Sequence, residues 1–493
     1  MCIRDSPWCD SVFDKHNFVI ADNDFSIVCR HPTCRFYNHS LPCQVVDDII
    51  YQRPPTLIVA TLDKFARLTW EERANCFFGN SNRPPELIIQ DELHLIAGSL
   101  GSVAGVYEAA IETVLQARGM KPKYIASTAT IKEAKDQVQK LFARPLSVFP
   151  PQGLSADDAY FAKIVPLSQR AGRLYVGYFS PILKRQNNVI PLAATLFLAP
   201  FIVSDKFDGV DLDAWWTKIF YHGSLKGVGN THNALDIGLR RFCDRLVQEK
   251  QAMMAYDNEN MVFKASTPTR YDWRIKQLTS NATATELLQT FADLLKPQGD
   301  KACIDTVLAT NMVAVGLDVT RLALMVINGQ PLTTAEYIQT SSRVGRGDIP
   351  GIVYINYYRD QARSLSHYEN FYPYHRSFYR YVEPTSVTPF TYQSRKRALH
   401  AGLVLAIRHS TQFLANDQAS LCHNESVDKK ISETIQRVID IYKQRCCLAD
   451  SERGSQIAQH IDDLYQEWVR YAKRNWENLS LIHISEPTRP LYI

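Results

Sequence analysis

The stretch Leu87-Ile88-Ile89-Gln90-Asp91-Glu92-Leu93-His94 decides the fold. A short, unbroken apolar run, without the alternation of a half-exposed strand, is the pattern of a parallel strand covered on both faces. It ends in two acids, and open α/β sheets bind their ligands at the carboxyl ends of strands. Outward from it, the same pattern recurs at Leu57-Ile58-Val59-Ala60, Tyr124-Ile125-Ala126, Val307-Leu308-Ala309, Leu324-Met325-Val326-Ile327 and Ile352-Val353-Tyr354-Ile355. Between the runs lie helical stripes. Val103, Val106, Tyr107, Ala110, Ile111, Val114 and Leu115 recur every three or four residues and mark one apolar helix face. Alternation of strands and helices predicts an α/β fold on parallel sheets.

Composition agrees. Of 493 residues, 45% are hydrophobic and 22% charged, which excludes a disordered or fibrous chain. Lys and Arg number 55 against 51 Asp and Glu, a net charge of +4, so a basic binding surface must be local. Eleven cysteines, an odd number, without a secretory signal pattern predict a reducing, cytoplasmic setting rather than a disulfide framework. The most apolar stretch, Val189 to Val203, is too short for a membrane span and is broken by Pro191 and Pro200; buried core is expected there, and no membrane partner.

Pro145, Pro150, Pro151 and Gly153 cluster at a domain boundary. Past about Tyr381 only helical stripes remain, through Ile431, Ile435, Val438, Ile439 and Tyr442, and through Ile457, Ile461, Leu464 and Trp468. The expected division is a first α/β domain over 7–150, a linker over 151–190, a second α/β domain over 191–365 and a helical region over 366–478. Met1-Cys2-Ile3-Arg4-Asp5-Ser6 and the segment from Ser480 to Pro490 resemble translated sequencing-adaptor tails. Residues 1–6 and 479–493 are therefore expected to be artefacts flanking a fragment.

Four motifs carry chemistry. Nucleotide hydrolysis needs one acid to hold Mg²⁺ and another to orient or deprotonate the attacking water, and Asp91 and Glu92 suit those roles. The plainer alternative is an acidic pair capping the next helix. Ser127-Thr128-Ala129-Thr130 ends another apolar run; its hydroxyls can bond to neighbouring carboxylates or simply cap a helix. Ala309 to Asp318 is the third motif. In the fourth, Gln339 to Arg346, Arg343 and Arg346 are expected to share one helix face, where guanidinium groups can stabilise charge on a γ-phosphate; a solvated basic helix start is the alternative.

In this chain order the set resembles superfamily 2 helicases and translocases. Asp91-Glu92-Leu93-His94 looks like motif II, Ser127–Thr130 like motif III, Ala309–Asp318 like motif V and Gln339–Arg346 like motif VI. Ser342 stands where many relatives carry Gly. Ile219 to Ser224 is the best match for motif IV, and Thr61-Leu62-Asp63-Lys64 for motif Ib, which touches the nucleic-acid backbone. The resemblance implies tandem RecA-like domains, the first truncated at its N-terminus, and a helical C-terminal region. It assigns Asp91, Glu92, Arg343 and Arg346 to catalysis with ATP and Mg²⁺. His94, Ser127, Thr128, Ala129, Thr130, Gly316, Asp318 and Gln339 would couple to the nucleotide, and Thr61, Asp63 and Thr310 would grip nucleic acid. More narrowly, Gln90 to Ser102, Phe149 to Gly153 and Tyr379 to Phe390 are similar to the large helicase component of the bacterial DISARM anti-phage system. That implies a DNA motor, on single or double strands, working with defence-system partner proteins. The rivals are a non-catalytic nucleic-acid-binding scaffold and a repair-type or RNA helicase.

A phosphate-cradling loop G-x-x-x-x-G-K-[ST] is missing, for no Gly-Lys dipeptide occurs in the sequence. The fragment is therefore expected not to hydrolyse ATP by itself. Cys9, Cys29, Cys34 and Cys43 lie close together in sequence and are candidate ligands for structural Zn²⁺, with His31 and His39 as alternatives; incidental free thiols are the competing reading. From Tyr354 to Tyr381, Tyr and Phe mix with Arg359, Arg363, Arg376 and Arg380. That mixture suits stacking on a single strand or, as preferred here, packing of the second α/β domain against the helical region.

Overall fold

The computed structural model describes residues 5–21, 24–79, 82–128, 134–151, 158, 160, 163–185, 187–206, 211–256, 273–311, 319–411 and 429–474. Ala129, Thr130, Gly316 and Asp318 lie outside them. The chain forms two compact units. One comprises Met1–Thr128, Lys132–Ser147 and Pro384–Ile493; the other is essentially Val148–Glu383.

The first unit opens with an antiparallel hairpin of β1 (Phe18–Ala21) and β2 (Asp24–Ile27). β3 (Leu87–Gln90) and β4 (Lys123–Ala126) pair in parallel, with Ile88 opposite Tyr124 and Gln90 opposite Ala126. The helix Gly98–Ala117 connects them. Its apolar stripe is as read: Val106, Ala109, Ala110, Val114 and Leu115 are buried. They share one core with Leu399 and Leu403 of helix Tyr392–Ser410, Ile435 and Tyr442 of helix Lys429–Ala449, and Ile461 and Trp468 of helix Gly454–Arg474. The C-terminal helices therefore complete the first unit; they are not a separate region after the second. A buried ion cluster fastens them. Glu112 of helix Gly98–Ala117 accepts from Arg445 Nε and, at 2.6 Å, from Arg144 Nη2, while Arg445 Nη2 donates to the Leu141 carbonyl at 2.7 Å.

Two strand expectations need correction here. Residues 57–60 form no strand, and Leu57 and Val59 are 73% and 71% exposed. β3 and β4 also leave Leu87, Ile89 and Ile125 exposed, while Ile88 packs on the core. Among the described residues β3 and β4 pair only with each other. A parallel strand without a neighbour on its free edge has neither ladder nor cover there. Ser6, from the stretch expected to be an artefact, is buried, its Oγ 3.4 Å from Cys34 Sγ.

The second unit is a six-stranded, all-parallel sheet. Its strands are β5 (Leu174–Phe179), β6 (Lys218–Tyr221), β7 (Ile275–Leu278), β8 (Thr306–Ala309), β9 (Leu324–Asn328) and β10 (Ile352–Tyr357), in spatial order β5-β10-β9-β6-β8-β7. Period-two alternation splits its strands between two cores. Ile219 and Tyr221 join Val307, Met325, Val353 and Ile355 on one face, and Phe220, Leu308 and Val326 face helices Val189–Lys206 and Leu225–Tyr256 on the other. The apolar stretch is thus a buried helix with Pro200 inside it, and among the described residues no helix is long and apolar enough to cross a membrane. β5 corrects the linker expected over 151–190. It pairs with β10 at the sheet edge, and its Leu-Tyr-Val-Gly-Tyr-Phe sequence hid it because Gly177 interrupts the apolar run. A Cβ at Gly177 would stand 3.0 Å from the Phe371 ring, so the position must be small.

The aromatic stretch packs inside this second unit, where helix Phe371–Arg376, from the start of the expected helical region, lies against the sheet. Tyr337, Tyr357 and Tyr374 are buried, His375 Nε2 lies 2.7 Å from the Tyr337 hydroxyl, and Phe371 lies 4.0 Å from the His375 ring.

Candidate nucleotide and nucleic-acid sites

In the first unit, the carboxyl ends of β3 and β4 bring two of the motifs together. The Ser127 amide donates to the Gln90 carbonyl and the Leu93 amide to the Ser127 carbonyl, both at 2.9 Å, so the backbone zips past the ends of the strands. Ser127 Oγ donates to Asp91 Oδ1, which also accepts from the Glu92 amide at 2.9 Å. Glu92 is left-handed, φ 51°, an uncommon state for a residue with a Cβ and one found often at functional sites. This turn carries its carboxylate to within 3.4 Å of His94 Nδ1, and Thr128 Oγ1 lies 3.3 Å from the same nitrogen. His94 is buried; Asp91, Ser127 and Thr128 are exposed.

Does this set suit a magnesium ion? Mg²⁺ is commonly held by one or two carboxylates while keeping several waters. Asp91 is exposed, and among the described residues the hydrogen bonds to its carboxylate fall on Oδ1, which leaves Oδ2 for a cation. The residues fit. Thr61 and Asp63 are exposed at the start of the short helix Leu62–Ala66 of the same unit.

In the second unit, Gln339 lies on helix Thr334–Ser341, capped by Thr333 Oγ1 and by Glu383, which accepts from the Thr334 amide at 2.8 Å. Arg343 and Arg346 do not share a helix face, because the helix has ended. Gly345, φ 64°, packs its backbone against Gly351, where an added Cβ would collide, so the chain turns. Both arginines are half-buried on that turn, and Arg346 Nε donates to the Ser342 carbonyl at 3.2 Å. Thr310, at the end of β8, is buried.

The same unit holds a cavity of about 1150 Å³ that the motif reading largely missed. It opens where β6 and β9 end, the place where successive strands switch from one side of β6 to the other. Such switch points leave a crevice for ligands. Lys184, Arg185, Lys226, Arg359 and Arg363 line it against Glu336 and Asp360, a local positive balance inside a nearly neutral chain. Arg359 and Arg363 are tied to backbone carbonyls, Arg363 to those of Gln330, Pro331 and Leu332. Lys184 and Lys226 are exposed. A chain of amides leads from the core to the cavity wall: buried Asn188 donates to buried Asn356 at 2.7 Å, Asn356 to half-buried Asn328 at 2.6 Å, and Asn328 to Thr231 at 3.1 Å. His222, from the motif IV stretch, lies 3.3 Å from Asn328 through Nδ1. Burial, with Arg185 as the lesser cause, pushes its pKa down to about 4, so the imidazole is neutral near pH 7. Of this lining, the motif IV stretch signalled His222, Gly223 and Ser224, and the aromatic stretch signalled Arg359 and Arg363. The basic residues come from separate segments, and what unites them is the sheet order.

Residues 239–348 match the family model of the helicase conserved C-terminal domain. The match spans β7, β8 and β9 together with Gln339, Arg343 and Arg346. The DISARM protein DrmA of Bacillus paralicheniformis is 35% identical over 485 residues, which is 90% of this chain and 41% of that protein. The likeness to helicases, and to the DISARM system in particular, is thereby borne out, as is the α/β class on a parallel sheet. Among solved structures, the helicase MrfA bound to DNA is 16% identical with a TM-score of 0.49, over 80% of this chain and 44% of that one. The Mycobacterium smegmatis helicase Lhr bound to ssDNA and AMP-PNP is 14% identical with a TM-score of 0.43, over 79% and 40%. The chain spans less than half the length of these relatives.

Proposed function

We propose that this chain is the motor core of an ATP-dependent DNA helicase or translocase serving phage defence in the cytoplasm with partner proteins. The observation that carries the reading is the junction of strand ends in the first unit, where Asp91 meets Ser127 and His94 meets Thr128, in a chain whose second unit matches the family model of the helicase conserved C-terminal domain. ATP with its Mg²⁺, when bound, supplies the phosphoanhydride whose cleavage drives such a motor. Asp91 would hold that metal through its exposed carboxylate. Glu92 orients the attacking water, and the left-handed backbone and His94 fix its direction. Arg343 and Arg346 neutralise charge developing on the terminal phosphate. Ser127 and Thr128 tie the two strand ends together, so that a shift of the acids is felt at β4. The basic cavity of the second unit accepts a nucleic-acid backbone, with Lys184 and Lys226 as its phosphate contacts.

Affinity for single-stranded DNA and RNA of equal length, read by fluorescence anisotropy across a salt series, tests the binding half. DNA is expected to bind more tightly. Lys184→Glu and Lys226→Glu should each weaken binding and lower the salt slope by about 0.7 per lost contact. Tighter binding of RNA would favour an RNA helicase, and unchanged slopes would remove the cavity from the path. For hydrolysis, the missing Gly-Lys predicts no turnover by the 493 residues alone. Preceded by a segment bearing a Gly-Lys-Thr or Gly-Lys-Ser loop, the chain should hydrolyse ATP with DNA stimulation and lose that activity in Glu92→Gln and Arg346→Ala. The absence of Gly-Lys also favours a non-catalytic scaffold, and silence of the loop-bearing protein would establish that rival.

A further inference from the structure

Residues 5–43 of the first unit form a small module with almost no core of its own. Among its described residues the buried apolar side chains are Ile27, Val28 and Leu41, joined by two thiols, Cys29 and Cys34. Its regular structure is a hairpin of two four-residue strands, β1 and β2, with isolated bridges Val28 to Ser40 and Cys29 to Tyr37. A two-stranded hairpin is marginal in water, and modules this small are commonly held by a disulfide or a metal.

The three sulfurs of Cys9, Cys29 and Cys34 converge, all lying within 4.8 Å of one another. Cys9 Sγ and Cys29 Sγ are 3.7 Å apart. Thiolates bound to tetrahedral zinc at about 2.3 Å stand about 3.8 Å apart along each edge, so this pair already has the spacing of a zinc site. The surroundings suit thiolates. The Phe36 amide donates to Cys34 Sγ at 3.4 Å, and the hydroxyls of Ser6 and Ser11 lie 3.4 Å from Cys34 Sγ and 3.3 Å from Cys9 Sγ. Cys43 is half-buried and stands outside the converging group.

We propose that Cys9, Cys29 and Cys34 supply three thiolates to a structural zinc ion that staples this module. The site is independent of the motor reading, because none of its residues belongs to the strand-end junction or the basic cavity.

Protein produced in zinc-containing medium and purified under reducing conditions should carry one zinc per chain by plasma emission spectrometry. Cys29→Ser and Cys34→Ser should lose it, whereas Cys243→Ser and Cys303→Ser, in the second unit, should keep it. Because a ligand variant can simply unfold the module, the metal-stripped wild-type chain is also titrated with Co²⁺. A sulfur-to-cobalt charge-transfer band with intense tetrahedral d–d absorption is expected, and Zn²⁺ should bleach it. No stoichiometric zinc together with no charge-transfer band would overturn the proposal. So would a Cys9–Cys29 disulfide found by mass spectrometry in the reduced preparation, or zinc retained in both ligand variants.

Discussion

Truncating Glu112 should unfasten the C-terminal helices. Its side chain is 4% exposed and that of Arg445 is 2% exposed, while the second partner, Arg144, also stacks its guanidinium 4.8 Å from the Tyr124 ring. In Glu112→Ala the Arg445 charge stays buried, and the hydrogen bond left to it among the described residues is the one to the Leu141 carbonyl. Removing one member of a buried pair costs about 3–5 kcal/mol, because the survivor keeps its desolvation penalty. For a unit of this size about 2–4 °C of melting temperature is lost per kcal/mol, so a fall of roughly 6–20 °C is expected. Calorimetry reads the transition. Fluorescence in urea adds a local probe, since Trp468 is buried in the same core. The double replacement Glu112→Leu with Arg445→Met should recover most of the loss, because an apolar pair of similar volume is often neutral. A loss under about 1 kcal/mol for Glu112→Ala, with the Trp468 transition unmoved, would refute the reasoning: the C-terminal helices would not then depend on this ion cluster for their stability.

Three further outcomes follow from single residues. Gly329 has φ 92°, and a Cβ there would stand 2.7 Å from Tyr358 Cε2, so Gly329→Ala should cost about 1–3 kcal/mol in urea unfolding. It should also weaken DNA binding, because Tyr358 carries the Arg185 guanidinium over its ring at the cavity. Burial pushes the Glu108 carboxyl up to about 7. The folded state thus favours the protonated form, and the stability this contributes is full below the unfolded value near 4.5 and is lost as pH rises through 7. Glu108→Gln should flatten that decline, and an unchanged stability–pH curve would contradict it. His222, depressed to about 4, is neutral in the fold at neutral pH, so His222→Gln should leave the pH profile of DNA affinity unaltered there. A proton-linked step near pH 7 that vanished in the variant would count against this.

Much of the second unit was legible because its strands follow the rule they were read by. β8, β9 and β10 are covered on both faces, and buried parallel strands leave continuous apolar runs. β5 was hidden by Gly177, whose place is set by Phe371, nearly two hundred residues away. The first unit was read less well for the same physical reason in reverse. Its strands are half-exposed, and Leu57 to Ala60 has the composition of a strand without a partner to pair with. The Asp91–Ser127 junction was within reach, since both motifs end apolar runs and carry groups that can bond. The helix end before Arg343 was not, because the Gly345–Gly351 approach is a tertiary contact. The basic cavity escaped because no single segment is basic.

The second unit interrupts the first, and this sets an order on synthesis. Val148–Glu383 is continuous, so its sheet can close once that stretch has left the ribosome. Helix Gly98–Ala117 emerges earlier, and although Leu68, Ala74 and Phe78 can cover part of its stripe, the core is complete only when helices beginning at Tyr392, Lys429 and Gly454 exist. Glu112 waits 333 residues for Arg445. Throughout that interval the stripe through Val106, Ala110 and Val114 lacks the larger part of its cover. A release of the chain before its last helices would leave a finished second unit on an unfinished first.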